Sequence, residues 1–454
     1  MHPASDDDFE RRCSIAGKRE DGLPRPSRSF LGGLGKPSSG RLSRRSFLAT
    51  TAGAAGLSVL PQHARGDDKA VPRVASINSI FRYKSHAYHV DGRFVHGYTR
   101  DGFHHQPPFR LVRMYNDQYP DDDLGREFCR RHQIERCETV AEALGGDRLD
   151  VDAVLLVCEH GDYPLNEFGQ ILYPRYELFQ QIVDVFRRGK RSVPVFVDKH
   201  LSYDHRRAAE MVATAHELKF GLMAGSSLPV TWRRPELEPP LETPFSEGLL
   251  LYGYDRNIDE IYWFHALESL QCMLERRRGG ETGVKSVQCL AGPEVWKAGD
   301  AGRWSWKLFH AAAGRSPSYN VGDPRENVPK PKAILIEYRD GTRGAVLNLP
   351  EQLSDMNFAG LVVGRDGPVS TDFFLPGPPG ARFFDPLVSN IEKFFAGGRP
   401  PYPVERTLLT STLLDLALHS LADGSRTIES EALTIHYQAP ADSGFFRGRY
   451  TDAG

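Results

Sequence analysis

No stretch of the 454 residues stays apolar for the roughly 18–20 positions that a membrane-spanning helix needs, so the mature protein is expected to have no membrane partner. There is no basic stripe either. Lys and Arg number 57 against 59 Asp and Glu, a formal net charge of −2, which argues against a nucleic-acid partner. Cysteine is scarce, with six in all. Cys13 falls in an N-terminal leader, and Cys129, Cys137, Cys158, Cys272 and Cys289 remain, an odd set with no CxxC spacing. That pattern indicates neither a zinc knuckle nor a dense disulfide framework. Cys158 and Cys272 stand in apolar runs and read as small core residues. A Gly-x-Ser-x-Gly elbow and a Walker lysine loop are both missing, which lowers simple hydrolase and nucleoside-triphosphatase readings. Internal repeats and coiled-coil heptads are missing as well.

What is present is an ordinary globular composition, 40% hydrophobic and 26% charged, at a length that predicts about two domains. Near the N-terminus, Ser43-Arg44-Arg45-Ser46-Phe47-Leu48 opens a short run rich in Ala, Gly and Thr that ends at Gln62-His63-Ala64-Arg65. Paired arginines, a mildly apolar stretch and a small residue before a polar boundary read as a twin-arginine export signal. Residues 1–42 before it are polar and rich in Ser, Arg, Gly and Pro, a disordered leader, so 1–68 stands outside the fold. The mature protein is then expected in the periplasm or otherwise exported, with the Tat translocase as its partner in transit. That route carries folded proteins; it suits a chain that collects a cofactor in the cytoplasm, and fast folding alone also explains it.

From Pro72 onward, strand and helix alternate. Strands are expected at 73–80, 109–115, 151–157, 192–197 and from 221 to 225, with helices near 124–132, 141–144, 176–188 and 204–218 and a Gly/His/Pro-rich insertion at 91–108. Such alternation implies a doubly wound parallel sheet over 69–228, whose ligands lie beyond the carboxyl ends of the strands. Residues 229–245 have the Pro and Glu content of a linker. After it come strands at 248–254, 284–290 and 360–364, a hairpin of 332–338 with 345–349 around Asp340-Gly341, and helices at 261–275, 386–395 and 405–421. The second domain, 229–454, is therefore expected to be α+β, an open and mostly antiparallel sheet backed by helices.

The chemistry is sought at the strand ends. One carries Cys158-Glu159-His160-Gly161-Asp162-Tyr163, a turn dense in ionisable groups; another carries Asp198-Lys199-His200. A lysine at a strand's carboxyl end is a proton-transfer or substrate-binding candidate, since desolvation there lowers an ammonium pKa. His265 opens a helix of the second domain and reads equally as a core histidine or a general base. His86, His89, His96, His104 and His105 have spacings that permit metal ligation, but no ordered acidic partners accompany them, and no metal is expected. Trp296, Trp304 and Trp306 suit either sugar stacking or a core.

The run from Glu142-Ala-Leu through Val151-Asp-Ala-Val-Leu-Leu-Val157 to Val195-Phe-Val-Asp198-Lys199-His200 and Met223-Ala-Gly225 resembles the Gfo/Idh/MocA family over roughly 72–440. These are glucose–fructose oxidoreductase-like and inositol-dehydrogenase-like sugar enzymes, some exported by twin arginines with tightly held NADP; an exported subgroup of planctomycete-type bacteria is especially similar. The resemblance implies a Rossmann-like NAD(P)-binding-type domain and a C-terminal α/β domain whose sheet often joins copies into a homo-oligomer. Lys199 matches the lysine of the family's Glu-Lys-Pro motif, with Asp198 and His200 replacing its neighbours. His265 matches the acid/base histidine, Glu268 stands where an Asp is common, and Lys199, His200 and Glu268 would face a carbohydrate substrate. The glycine fingerprint maps onto Asn78, Ile80 and Tyr83, followed by the matching His86, so every glycine is replaced. Asp117 would accept a ribose hydroxyl, Arg82 or Lys84 would meet phosphate, and His160 and Tyr163 would lie near the nicotinamide ribose. Two readings follow: an exported sugar or polyol oxidoreductase whose tightly held NAD or NADP recycles in place, or a carbohydrate-binding relative that has lost the cofactor and does no redox chemistry.

Overall fold

The computed structural model describes residues 71–146, 148–254, 259–377 and 380–448; Cys13 and the export-signal reading lie outside the described residues. In chain order the first elements are β1 (Arg73–Asn78), α1 (His86–His96), β2 (Tyr98–Arg100), β3 (Phe103–His105), β4 (Arg110–Asn116), α2 (Gly125–His132), β5 (Glu135–Cys137), α3 (Val140–Leu144), β6 (Ala153–Val157), α4 (Arg175–Gly189), β7 (Val195–Asp198), α5 (His205–Glu217) and β8 (Leu222–Gly225). The second group comprises β9 (Trp232–Arg234), β10 (Phe245–Tyr252), α6 (Asp259–Leu274), β11 (Val284–Ala291), α7 (Pro293–Asp300), α8 (Trp306–Ala313), α9 (Pro324–Asn327), β12 (Lys332–Tyr338), β13 (Arg343–Asn348), β14 (Met356–Val362), β15 (Val369–Phe374), α10 (Phe384–Gly397) and α11 (Val404–Ala422).

The first sheet has six strands in the order β5-β4-β1-β6-β7-β8, every pair parallel. Its central strand β6 reads Ala-Val-Leu-Leu-Val and is buried throughout, as a strand covered on both faces must be. Leu178, Phe179, Ile182 and Phe186 of α4 close one face; Val90 and Phe94 of α1 close the other, joined by Leu387 and Ile391 of α10. Thus α10, late in the expected second domain, returns to the first sheet. The strand order reverses between β1 and β6, the switch point at which this architecture leaves a crevice.

The second sheet has seven strands, β11-β12-β13-β10-β14-β15-β9, antiparallel except for β10 against β13. Alternation along β10 assigns its faces: Leu250 and Tyr252 pack with α6 and α11, Leu249 and Leu251 with α7 and α8. Trp296, Trp304 and Phe309 belong to that second layer, so the tryptophans are chiefly core. The expected insertion at 91–108 proves to be the rest of α1 and the small β2–β3 hairpin, and the expected linker contributes β9 to the sheet edge. Ser85 caps α1 by accepting from Tyr88 N at 3.2 Å.

Candidate functional site

Strand β7 ends on Asp198, and the chain turns at once. Lys199 takes a left-handed backbone (φ 61) and donates its N–H to Gly225 O at 3.1 Å. For a residue with a side chain that geometry costs about 1–2 kcal/mol, so the surroundings must hold it. The holding group is Glu159, just past β6: Lys199 Nζ lies 2.7 Å from Oε1 and Arg175 Nη2 lies 2.5 Å from Oε2, all three side chains buried. Burial opposes ionisation of Glu159, but these two cations overcome it and hold the carboxyl far below its ordinary range. Arg175 Nη1 and Glu260 Oε1 both reach His200 Nε2, at 3.1 and 3.0 Å, so either tautomer serves one of them. Desolvation, then Arg175, lowers the pKa of His200. Glu260 Oε2 accepts the N–H of Ile171 at 2.7 Å, tying α6 to the loop after β6.

A second group adjoins the first. His86, at the start of α1, places Nδ1 2.7 Å from Asp198 Oδ2, the carboxylate being almost wholly buried while 16% of the histidine side chain is exposed. The other aspartate oxygen, Oδ1, is buried without a hydrogen-bond partner. Glu268 of α6 accepts from Ser226 N at 2.9 Å and Ser226 Oγ at 2.7 Å, leaving Oε1 unpartnered. A Cβ at Gly225 (φ 136) would stand 2.3 Å from that Oε1 and 3.0 Å from the hydroxyl of Tyr402, itself unpartnered, so glycine alone fits there. Burial pushes the Glu268 carboxyl up to about 7, against the two Ser226 bonds. His265 is buried with Nδ1 unpartnered; desolvation, then the charge of Lys199, holds the ring neutral well below its ordinary value.

The structure thus gathers Lys199, His200, His265, Glu268 and His86 around the carboxyl ends of β7 and β8, with His160 beside them, its ring 5.3 Å from that of His86. It disperses the rest. Asn78 is locked in a buried network with Ser76, Asp91 and Asn116. Ile80 is buried, Tyr83 is 54% exposed, and Asp117 and Tyr163 bond to each other. The other histidines scatter: His105 pairs with Glu392, His96 packs on His132, and His89 stacks on Phe384. Sequence reasoning missed the anchoring roles of Glu159, Arg175, Glu260 and Ser226 and the pairing of Asp198 with His86. Only Glu159, in a turn already dense in charge, carried a local signal.

A dinucleotide of the kind this architecture binds lays its phosphates on the amides that open α1 and its ribose on an acidic residue after the second strand. The residues present do not fit that arrangement. Residues 78–86 contain no glycine, and Ser85 takes the first-turn amide of Tyr88. Both carboxylate oxygens of Asp117 are engaged, by Tyr115 at 3.0 Å and Tyr163 at 2.8 Å.

No protein-family model matches the chain, and no curated protein matches it in sequence. Among solved structures it is similar to a myo-inositol dehydrogenase from Lactobacillus casei in complex with NAD(H) and myo-inositol, at 12% identity and a TM-score of 0.50 over 80% of this chain and 97% of that one. It is also similar to GenD2 from gentamicin A biosynthesis in complex with NAD, at 17% identity and 0.49 over 79% and 96%. The likeness to the inositol dehydrogenase is one of fold, a Rossmann-like parallel sheet followed by a mixed sheet.

Proposed function

We propose that the chain acts on a sugar that carries a carbonyl, at the carboxyl ends of β7 and β8, by proton transfer through His86 and Lys199. The observation that carries this reading is the His86–Asp198 pair beside the Lys199–Glu159 pair, with unpartnered polar atoms on Asp198, His265 and Glu268 around them. Buried polar atoms without partners cost free energy, and the partly exposed His86 is where a polyhydroxylated ligand would meet this polar cluster. With Nδ1 donating to Asp198, His86 has Nε2 free to accept and return a proton. Lys199, with one proton on Glu159, has two left to hold a substrate oxygen. Neutral His265 accepts at Nδ1. This set supports removal of a proton from the carbon beside a sugar's carbonyl, the electron pair passing to the carbonyl oxygen held by Lys199, and return of a proton to one of the carbons of the resulting enediol, so that no oxidant is consumed.

A second reading, a sugar or polyol oxidoreductase with NAD or NADP, is favoured by the shared fold and its strand order. The poor fit at the crevice ranks it second, and no step is drawn through the dinucleotide. Export through the signal at 43–64 is part of the proposal and accounts for a chain that needs no free cofactor outside the cytoplasm.

The test is a panel of sugars, polyols and sugar acids scored by thermal stabilisation and calorimetry. At least one member should raise the melting temperature, and Lys199→Ala, still folded by circular dichroism, should bind it at least about tenfold more weakly. A panel that stabilises nothing, or a Lys199→Ala protein that binds as wild type does, contradicts the reading.

A further inference from the structure

The crevice at the switch point is crossed by hydrogen bonds of the chain's own making. The turn after β4 and the loop after β6 lie on opposite sides of β1, and between them a bound dinucleotide would run. Tyr163 reaches across and donates to Asp117 Oδ2 at 2.8 Å. Gln118 and Asp162 exchange two bonds, side-chain Nε2 to backbone O at 3.0 Å and backbone N to Oε1 at 2.9 Å. Ser79 Oγ donates to Glu159 O at 3.0 Å, closing the same gap beside β1.

The local sequence is fitted to this crossing. Gly161 has φ 113, and a Cβ there would stand 2.5 Å from the Tyr163 ring, so the glycine makes room for the tyrosine. The ring also packs edge-on against Tyr173, 5.5 Å between centroids. The far end of the loop is pinned as well, by Ile171 N on Glu260 and by Gln170 Nε2 on Tyr203 O at 2.7 Å. A loop whose residues 159–163 are bonded across the strand ends, and whose far end is pinned by α6 and the turn after β7, is a structural part, unlike a lid waiting for a ligand.

We propose that the loop at 158–174 is the standing occupant of the dinucleotide crevice, with the Tyr163 hydroxyl in the place of an adenosine ribose on Asp117. The fold keeps the small-molecule half of its site and has given the cofactor half to its own chain. This deepens the proton-transfer reading but is tested apart from it: a failed sugar panel leaves the crevice claim standing, and bound dinucleotide overturns the crevice claim alone.

The experiment uses the full chain. The purified protein is denatured and its supernatant assayed for NAD(H) and NADP(H) by mass spectrometry; the native protein is then titrated with each dinucleotide by calorimetry. The expected result is less than about a tenth of an equivalent released and no saturable binding at millimolar concentration. In parallel, limited proteolysis follows cleavage within 158–174 for wild type, Tyr163→Phe and, as a second release of the loop, Gln118→Ala. Each variant should be cut several-fold faster while the global melting temperature moves little. Stoichiometric dinucleotide, micromolar binding, or variants cut at the wild-type rate would overturn the proposal.

Discussion

His86 owes its proposed chemistry to a carboxylate 112 positions along the chain. The helix start supplies the imidazole, the end of β7 supplies Asp198, and only the parallel sheet brings them to 2.7 Å. Glu268 shows the same dependence on fold. Its carboxyl is pushed up to about 7 from an ordinary 4.5 by burial, so between those values the folded chain keeps a proton that the unfolded chain has lost. Stability contributed by this group therefore falls as pH rises from about 4.5 to about 7, by about 3 kcal/mol in total. Glu268→Gln, neutral throughout, should flatten the urea-derived stability curve over that window by a similar amount; a curve that overlays the wild type contradicts the assignment. Lys199 was legible as a candidate in the sequence because it follows a strand end, and His265 because the helix was expected to open beside it, whereas the residue sits mid-helix in α6. The partners of His86 and Lys199 were not, since neighbours distant in sequence leave no periodicity or spacing to read.

At the scale of elements, α6 is the axis of the molecule. Its apolar residues Phe264, Leu267 and Leu270 enter the second core, while Glu260, His265, Glu268 and Gln271 are polar residues buried among them along the helix. Just beyond it, Glu275 accepts Arg406 of α11 through Nε at 2.8 Å and Nη2 at 2.5 Å, both side chains fully buried. Removing one partner of such a pair leaves a bare buried charge and costs about 3–5 kcal/mol. Arg406→Met should show that loss in urea denaturation, whereas a change below about 1 kcal/mol would mean that water or another group takes over the carboxylate. The helix itself was readable at 261–275, as were the β12–β13 hairpin and α11. Helix α1 was not: of its residues His89, Asp91 and Arg93 are buried alongside Val90 and Phe94, so polar residues interrupt the apolar stripe that marks a helix in sequence.

For the molecule as a whole, the alternation of strands and helices announced the parallel sheet, and sequential strands announced the second one. Covering of the outer face of the second sheet was not legible, because the same tryptophans suit a core or a sugar platform. Trp304 is fully buried, donates Nε1 to Val295 O at 2.9 Å and packs on Trp306 with 4.5 Å between centroids. Trp304→Ala should cost about 3–5 kcal/mol and expose this face, measured by thermal unfolding and by a concentration-dependent shift in size-exclusion elution. Unchanged stability would mean that the helical layer is not integral to the fold. Closure of the crevice was equally hidden, since Tyr163 and Asp117 meet only through the strand order.

In the proposed chemistry His86 and Lys199 move a proton on a carbonyl-bearing sugar without a dinucleotide. The direct measurement is proton NMR of a bound panel member in deuterium oxide, with no nicotinamide added. With a carbonyl-bearing member deuterium should enter the carbon beside the carbonyl, and Asp198→Asn, which removes the carboxylate holding His86, should slow the exchange by about 10²-fold or more. No exchange without nicotinamide, with exchange or oxidation appearing once NAD or NADP is supplied, would contradict it and return the site to redox chemistry.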